Sequence, residues 1–175
     1  MSPCACPLAP GRALRSSGAM DMDTRIRTSF TRQDMMTTFV PTLESVAEGR
    51  VTIAAPILPL AHQQQGFGHA GLTFAIGDSA AGYAAVTLLD AESDVVTSEM
   101  AIHYLAPGIG DRLVARGSVI KPGKRMLVTQ ADVFAVTGTE ERHIACMTGT
   151  MVRVPPSACA CILRKAAGVA APSNR

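Results

Sequence analysis

The feature of this sequence that most constrains its fold is a long segment, residues 70–89, that is apolar or small on almost every helical face. Most of its positions are Ala, Gly or Ser, and its larger side chains lie near helical spacing: Leu72, Ile76, Tyr83 and Val86. A helix that is apolar all round is normally buried. Its small residues would let a neighbouring backbone approach closely. We therefore predict that this segment is the longest helix of the chain and lies at the centre of the fold.

The segment before this helix is predicted to hold one short helix and extended chain. Residues 32–40 have an amphipathic pattern that Pro41 ends. Residues 42–58 are typical of extended structure, with a turn at Glu48 and Gly49 and a β-rich run behind it. Residues 56–68 contain Pro, Gln and Gly without a clear period, so we expect a loop there.

Four extended segments follow the helix, at 95–105, 111–121, 126–136 and 142–154. Their connections are short, which favours an antiparallel meander. In the first segment, polar and apolar residues alternate, which places Glu99 and His103 on one face of the strand. The opposite face would hold four larger, mostly apolar side chains: Val96, Met100, Ile102 and Tyr104. One buried helix with one long antiparallel sheet predicts an α+β fold, in which the sheet wraps around the helix. Such a unit leaves apolar surface uncovered, so we expect an oligomer.

Length, charge and cysteine usage narrow the class of protein. The chain of 175 residues has a formal net charge of +2, which argues against nucleic acid as a partner because phosphate binding needs a dense basic surface. No apolar run approaches the roughly 18 residues needed to cross a bilayer, so no membrane role is expected. Four of the cysteines form C-x-C pairs near the two ends, a spacing that does not favour a metal site. We expect free thiols in a reducing cytoplasm, with no metal and no cofactor.

The expected organisation is one domain with two tails. Residues 1–24 are rich in Pro, Ala, Arg and Ser, and we predict a disordered extension or a true start at Met20 or Met22; a transit peptide would have a similar composition. Residues 25–156 form the domain. Residues 157–175 are an Ala-rich tail, either disordered or a short helix.

Asp78 is the anomaly of the central helix. It is the only charged residue between His69 and Asp90, and its neighbours are Ala, Gly and Ile. A buried carboxylate without a partner costs several kcal/mol or takes up a proton. Aspartate in this position indicates either a chemical role or the simpler alternative, in which Asp78 faces solvent or caps a neighbouring loop.

The start of the same helix has a second feature, the run Gly-Phe-Gly-His-Ala-Gly at residues 66–71. Free backbone N–H groups at a helix N-terminus, together with the helix dipole, stabilise negative charge. This is the physical requirement of an oxyanion hole. An ordinary Gly-rich loop is the alternative, but an anion-stabilising start and a carboxylate two turns further on together favour a site.

This arrangement resembles the hotdog-fold acyl-CoA thioesterases of the phenylacetate-degradation (PaaI) type, over roughly residues 35–155. The family has a His-Gly-Gly motif before the central helix and an acid eight residues after the first Gly; here the residues are His69, Ala70, Gly71 and Asp78. Three later segments also resemble family strands: Val-Thr-Ser-Glu-Met-Ala-Ile-His-Tyr-Leu-Ala-Pro at 96–107, Asp-Arg-Leu-Val-Ala-Arg-Gly at 111–117 and Cys-Met-Thr-Gly-Thr at 146–150.

The resemblance implies a role for each matching residue. Asp78 takes the position of the acid that acts as nucleophile or general base on the thioester carbonyl. The N–H of Ala70 takes that of the oxyanion donor. Gln63 matches the loop residue that orients the thioester or the water, and Thr97 matches the hydroxyl that holds the attacking water. His69 and Gly71 border the substrate, with His69 more often a structural residue at the helix start than a base.

Two further features of the sequence concern substrate binding: a difference from the family motif at residue 70, and a basic turn. Ala70 stands where the family usually has Gly; an alanine N–H can still donate, provided that the backbone does not need a positive φ there. The charged turn between the second and third of these extended segments holds Lys121, Lys124 and Arg125. It is either a solvated turn or an attractor for the phosphates of CoA.

The resemblance therefore implies hydrolysis of acyl-CoA thioesters without a cofactor, in a homodimer or a dimer of dimers. In the family the acid and the oxyanion donor come from different subunits. Two alternatives remain: a hydroxyacyl-thioester dehydratase of the same fold, with His69 paired to Asp78, and a non-catalytic acyl-CoA-binding protein. The acyl group is not identified, although the aromatic residues near the helix are candidates to contact it: Phe67, Phe74 and Tyr83.

Overall fold

A computed structural model describes residues 21–155. The helices are α1 (Met22–Phe30), α2 (Asp34–Phe39) and α3 (Ala70–Val86), with a short 3-10 helix at Pro59–Ala61. The strands are β1 (Thr42–Ala47), β2 (Arg50–Pro56), β3 (Asp94–Tyr104), β4 (Arg112–Lys121), β5 (Met126–Thr137) and β6 (Glu140–Val154). All strands belong to one antiparallel sheet in the order β1-β2-β4-β5-β6-β3.

The central helix is confirmed, and it is buried as its composition predicts. Helix α3 has 17 residues and is the longest helix among residues 21–155. Its glycine and alanine positions bring it against the sheet: a Cβ on Gly77 would clash with Met147, and a Cβ on Gly117 of β4 would clash with the backbone of Ala80. The small residues therefore allow backbone-to-backbone approach between helix and sheet, and the sheet wraps around α3.

The predicted extended segments are also confirmed, but the meander is only partly correct. Strands β4, β5 and β6 are sequential neighbours, whereas β3 pairs with β6 and not with β4. Strand β4 instead pairs with β2 and β5. The turn at residues 107–110 thus does not close a hairpin; it carries the chain across the sheet. Strand β3 is left at one edge of the sheet and β1 at the other.

The predicted alternation in β3 is wrong at one residue because the strand has a β-bulge. The register shifts between Thr97 and Glu99, so Ser98 is an extra residue opposite β6. Met100 and Ile102 pack on the core as expected. Val96, on the other side of the bulge, lies on the outer face with 49% of its surface exposed. Thr97 faces the helix instead.

Helix α1 is absent from the sequence prediction, and it starts at Met22, within the segment expected to be a disordered extension. Ile26 is fully buried and Phe30 nearly so. The guanidinium of Arg25 donates to the carbonyl of Val86, the last residue of α3, and to that of Asp90 beyond the helix, each at 2.5 Å. The ordered domain therefore reaches at least to Met22. Helix α2 confirms the predicted short helix, with Val40 in the left-handed region just before Pro41.

Several expectations fall at or beyond the ends of the described chain. Residues 1–20 and 156–175, which include Met20, most of the predicted extension, the Ala-rich tail and the C-x-C cysteines, lie outside the described residues. Cys146 is a free thiol. Within residues 21–155, no cluster of three or more potential metal ligands is present, and no helix is long and apolar enough to span a membrane.

Candidate active site

The start of α3 is capped by His69. The Nδ1 atom of its ring accepts a hydrogen bond from the Gly71 N–H at 2.9 Å. Nδ1 is therefore an acceptor, and any proton of the neutral ring is on Nε2. A Cβ at residue 71 would lie 3.0 Å from this same Nδ1, which explains why the residue two positions after the capping histidine is a glycine. His69 thus has the structural role at the helix start.

Ala70 presents a free backbone donor. It is the first residue of α3, so its N–H has no acceptor within the helix. Among residues 21–155, Val40 is the only non-glycine residue with a positive φ, so the backbone at Ala70 needs no glycine. Alanine in place of the usual glycine therefore leaves the backbone N–H of residue 70 available as a donor, with the positive end of the helix dipole behind it.

A cavity of about 540 Å³ lies beside this donor. Its lining includes Gln63, His69 and Ala70, which the sequence analysis assigned to one site, together with Tyr104. The Tyr104 hydroxyl donates to the Ala70 carbonyl at 3.1 Å and ties the end of β3 to the start of α3. The Gln63 side chain accepts from the Gln65 N–H at 3.4 Å, so its loop is folded back on itself beside the cavity.

Asp78 lies two turns further along α3, half-buried, and it has a specific partner. The hydroxyl of Thr97 donates to its carboxylate at 2.9 Å. Burial raises the pKa of Asp78 above the ordinary value of 3.8, and the Thr97 hydrogen bond opposes that change only in part. The β3 bulge makes this contact possible, because it turns Thr97 toward the helix. Asp78 is thus a partly desolvated carboxylate held by one hydroxyl, and it does not cap a loop.

A second cavity, of about 480 Å³, opens beside Asp78 and Thr97. It runs along α3 past Gly82 to Tyr83 and Val86, and β3 forms its opposite side. The last turn of α1 and the linker after it contribute polar side chains that were not predicted from the sequence: Ser29, Arg32 and Gln33. The spacing of Ile26 and Phe30, four residues apart, was the signal that could have placed a helix there.

The two cavities divide the predicted catalytic residues into two groups. Gln63 and Ala70 belong to one cavity, and Asp78 and Thr97 to the other. Eight residues of α-helix separate Ala70 from Asp78 by about 12 Å along the axis. One thioester carbonyl cannot touch both within a single chain. The same separation keeps His69 from pairing with Asp78 of its own chain. The dehydratase alternative depends on that pair, so it too would need a second copy of the chain.

The predicted substrate contacts are only partly brought together. Tyr83 lines the cavity beside Asp78, whereas Phe67 and Phe74 line neither of these two cavities. Lys121, Lys124 and Arg125 are exposed at the β4–β5 turn and also line neither. That turn lies at the end of the sheet where β3 begins, since Arg153 of β6 donates its N–H to the Arg125 carbonyl.

One long helix wrapped by an antiparallel sheet, with a carboxylate in the helix and a free N–H at its start, defines a hotdog-fold enzyme class. Comparison with known proteins agrees. A sequence model of the thioesterase superfamily matches residues 65–141. A solved thioesterase family protein from Silicibacter pomeroyi is 37% identical, with 77% of this chain and 99% of that chain covered and a TM-score of 0.75. The chain belongs to the thioesterase superfamily.

More distant solved structures share the fold. A thioesterase from Haemophilus influenzae is 16% identical, with 78% of this chain and 92% of that chain covered and a TM-score of 0.69. The E. coli PaaI protein from the phenylacetic acid degradation operon is 19% identical, with 76% and 93% covered and a TM-score of 0.68. No match was found among curated protein sequences.

Proposed function

We propose that this protein hydrolyses acyl-CoA thioesters to the free acid and CoA, as a thioesterase of the PaaI type. The observation that carries the proposal is the environment of Asp78. In a chain of the thioesterase superfamily, a half-buried carboxylate with a raised pKa borders a cavity and is held by the Thr97 hydroxyl. A carboxylate that has lost part of its hydration and keeps one directing hydrogen bond is suited to act on a carbonyl carbon.

Asp78 would act as its ionised form. As a general base it takes a proton from a water molecule whose oxygen adds to the thioester carbonyl carbon; as a nucleophile its own oxygen adds to that carbon, and water later cleaves the resulting anhydride. In both cases the C–S bond breaks and the CoA sulfur leaves with the bonding electrons, to be protonated as the thiol. Thr97 orients the carboxylate or the water in either role.

The oxyanion formed on the carbonyl oxygen needs a donor, and the Ala70 N–H supplies it. This N–H is unused within α3 and lies at the positive end of the helix dipole. Donors aimed at the developing negative charge are a large part of catalysis in acyl transfer. Gln63 lines the same cavity and would orient the thioester or the water from the loop side.

The separation of about 12 Å between Ala70 and Asp78 calls for a second copy of the chain. Strand β3 is an edge strand, and its free backbone groups can pair with another β3. Thr97 holds Asp78 near the start of β3, and Tyr104 holds Ala70 at its end. Antiparallel pairing of two β3 strands across a two-fold axis lays the start of one beside the end of the other. Asp78 of one copy then approaches Ala70 and Gln63 of the other.

The basic turn at Lys121, Lys124 and Arg125 is the proposed contact for the CoA phosphates. Its exposure leaves all three side chains accessible to a ligand that extends out of the site. A homodimer is the smallest complete unit in this proposal, and a dimer of dimers would contain four such sites.

The test is release of free CoA from a panel of acyl-CoA thioesters, followed with a thiol reagent. We expect the wild-type protein to release CoA and Asp78→Asn to lose most of that activity. Dehydration of a 3-hydroxyacyl-CoA without CoA release would identify a dehydratase. Tight acyl-CoA binding without any turnover would identify a binding protein.

A further inference from the structure

The cavity beside Asp78 follows one face of α3. Gly82 and Val86 are four and eight residues after Asp78, so they lie on its face of the helix, one and two turns further on. Both line the cavity, and β3 contributes Val95 to the opposite wall. Tyr83 also lines the cavity; its ring packs edge-on against that of Phe30, with 5.9 Å between the ring centroids, and its hydroxyl lies 3.3 Å from that of Ser29.

Gly82 has no structural reason to be a glycine. It is not among the glycines with positive φ, so its backbone conformation is open to any residue. A Cβ placed on it would touch only a methyl group of Val95, at 4.0 Å, which is ordinary van der Waals contact. Gly77 in the same helix differs, since a Cβ there would clash with Met147. Glycine is also a poor helix former, so its presence in α3 works against helix stability.

The remaining consequence of Gly82 is empty space one turn beyond the carboxylate. A side chain here would project between α3 and Val95 and divide the cavity. We infer that Gly82 is a specificity-determining residue, which leaves room for the acyl chain of thioesters longer than butyryl to extend along α3 toward Tyr83. This inference rests on the proposed function, because it assigns the cavity beside Asp78 to the acyl group.

Three variants test the inference by filling or enlarging the cavity at the same place. Gly82→Val fills the space, Val95→Ala enlarges it from the opposite wall, and the double variant does both. The measured quantity is the ratio of kcat/KM for octanoyl-CoA to that for butyryl-CoA. We expect Gly82→Val to lower this ratio by about tenfold or more, the usual range when one or a few methylenes no longer fit a pocket. Val95→Ala should raise the ratio, and the double variant should return it toward wild type.

Thermal unfolding accompanies each measurement, and Gly82→Ala serves if Gly82→Val does not fold. A melting temperature equal to or above that of wild type, together with a lowered ratio, supports the inference, since a merely structural glycine would lose stability on substitution. An equal fall of kcat/KM for both thioesters, or an unchanged ratio, overturns it while leaving the proposed function in place. Absence of CoA release by the wild-type protein from every thioester contradicts the proposed function itself, and the inference with it.

Discussion

At the scale of single residues, two opposing effects act on the pKa of Asp78. Burial in α3 disfavours its charge and raises its pKa, whereas the Thr97 hydroxyl stabilises the charge and lowers it. Burial is the larger of the two. The carboxylate is therefore more basic than that of an exposed aspartate, which suits a general base or nucleophile.

Asp78→Asn is expected to lower kcat by at least about 10²-fold, because an amide neither takes up a proton nor attacks a carbonyl. The fold should remain, since asparagine can still accept the Thr97 hydrogen bond. A raised folded-state pKa means that Asp78 favours the folded state below its ordinary pKa and that this contribution is lost as pH rises through the raised value. The melting temperature of Asp78→Asn, relative to that of wild type, should therefore increase as the pH rises through this interval. Near-wild-type turnover would contradict the assignment.

Thr97→Val should move the acidic limb of the kcat/KM profile to higher pH. The variant removes the one interaction that lowers the pKa of Asp78, so the pKa rises further and the ionised form appears later in a titration toward alkaline pH. Activity near neutral pH should fall by about tenfold, as expected for losing a hydrogen bond to a charged group. Thr97→Ser keeps the hydroxyl and should keep the wild-type limb. Equal shifts in both variants would show that packing, and not the hydrogen bond, is responsible.

Gln63→Ala should lower kcat/KM less than Asp78→Ala does. The proposed role of Gln63 is to orient a group, which contributes through positioning, whereas the proposed role of Asp78 is in bond formation. Steady-state kinetics on one thioester compares the two variants directly. Wild-type kinetics in Gln63→Ala would remove Gln63 from the site.

At the scale of elements, α1 contributes to the core and to one wall of the cavity beside Asp78. Its buried residues pack under α3, and Arg25 binds carbonyls at and just beyond the C-terminal end of that helix. Ile26→Ala should lower the free energy of unfolding by about 2–5 kcal/mol, the usual cost of truncating a buried isoleucine. The exposed Thr24→Ala is the matched control and should change it by less than about 0.5 kcal/mol. Urea unfolding measures both, and equal values would show that α1 does not contribute to the core.

At the scale of the whole molecule, the site is proposed to be complete only in a dimer. Asp78→Asn and Gln63→Ala chains, each impaired alone, should regain activity when unfolded together and refolded. About half of the dimers would be mixed, each with one intact and one doubly damaged site, so recovery should approach about a quarter of wild type. The control is the same mixture without unfolding. An active monomer in sedimentation, or recovery no higher than the average of the two variants, would contradict the shared site.

The pattern of apolar and small residues predicts those helices and strands whose formation depends on residues close together in the chain. The composition of residues 70–89 predicts a buried helix because small residues on all faces leave no other stable environment for it. The strand segments were recognised in the same way, from short apolar runs between Gly- and Pro-containing turns. Asp78 stands out as a lone carboxylate and residues 66–71 as a Gly-rich helix start, whereas the assignment of Ala70 itself comes from the family resemblance; the positions of Asp78 and Ala70 in α3 agree with the structure.

Tertiary structure decided what depends on residues distant in the chain. The pairing of β3 with β6 places a strand beside one that follows it by some forty residues, and a short turn after β3 gives no indication of that choice. The bulge at Ser98 reverses the face of Thr97, and only the register against β6 reveals it. Helix α1 is marginal by itself and is stabilised by burying Ile26 and Phe30 under α3. The space at Gly82 is likewise a property of two facing elements, since a glycine in sequence carries no information about what lies opposite it.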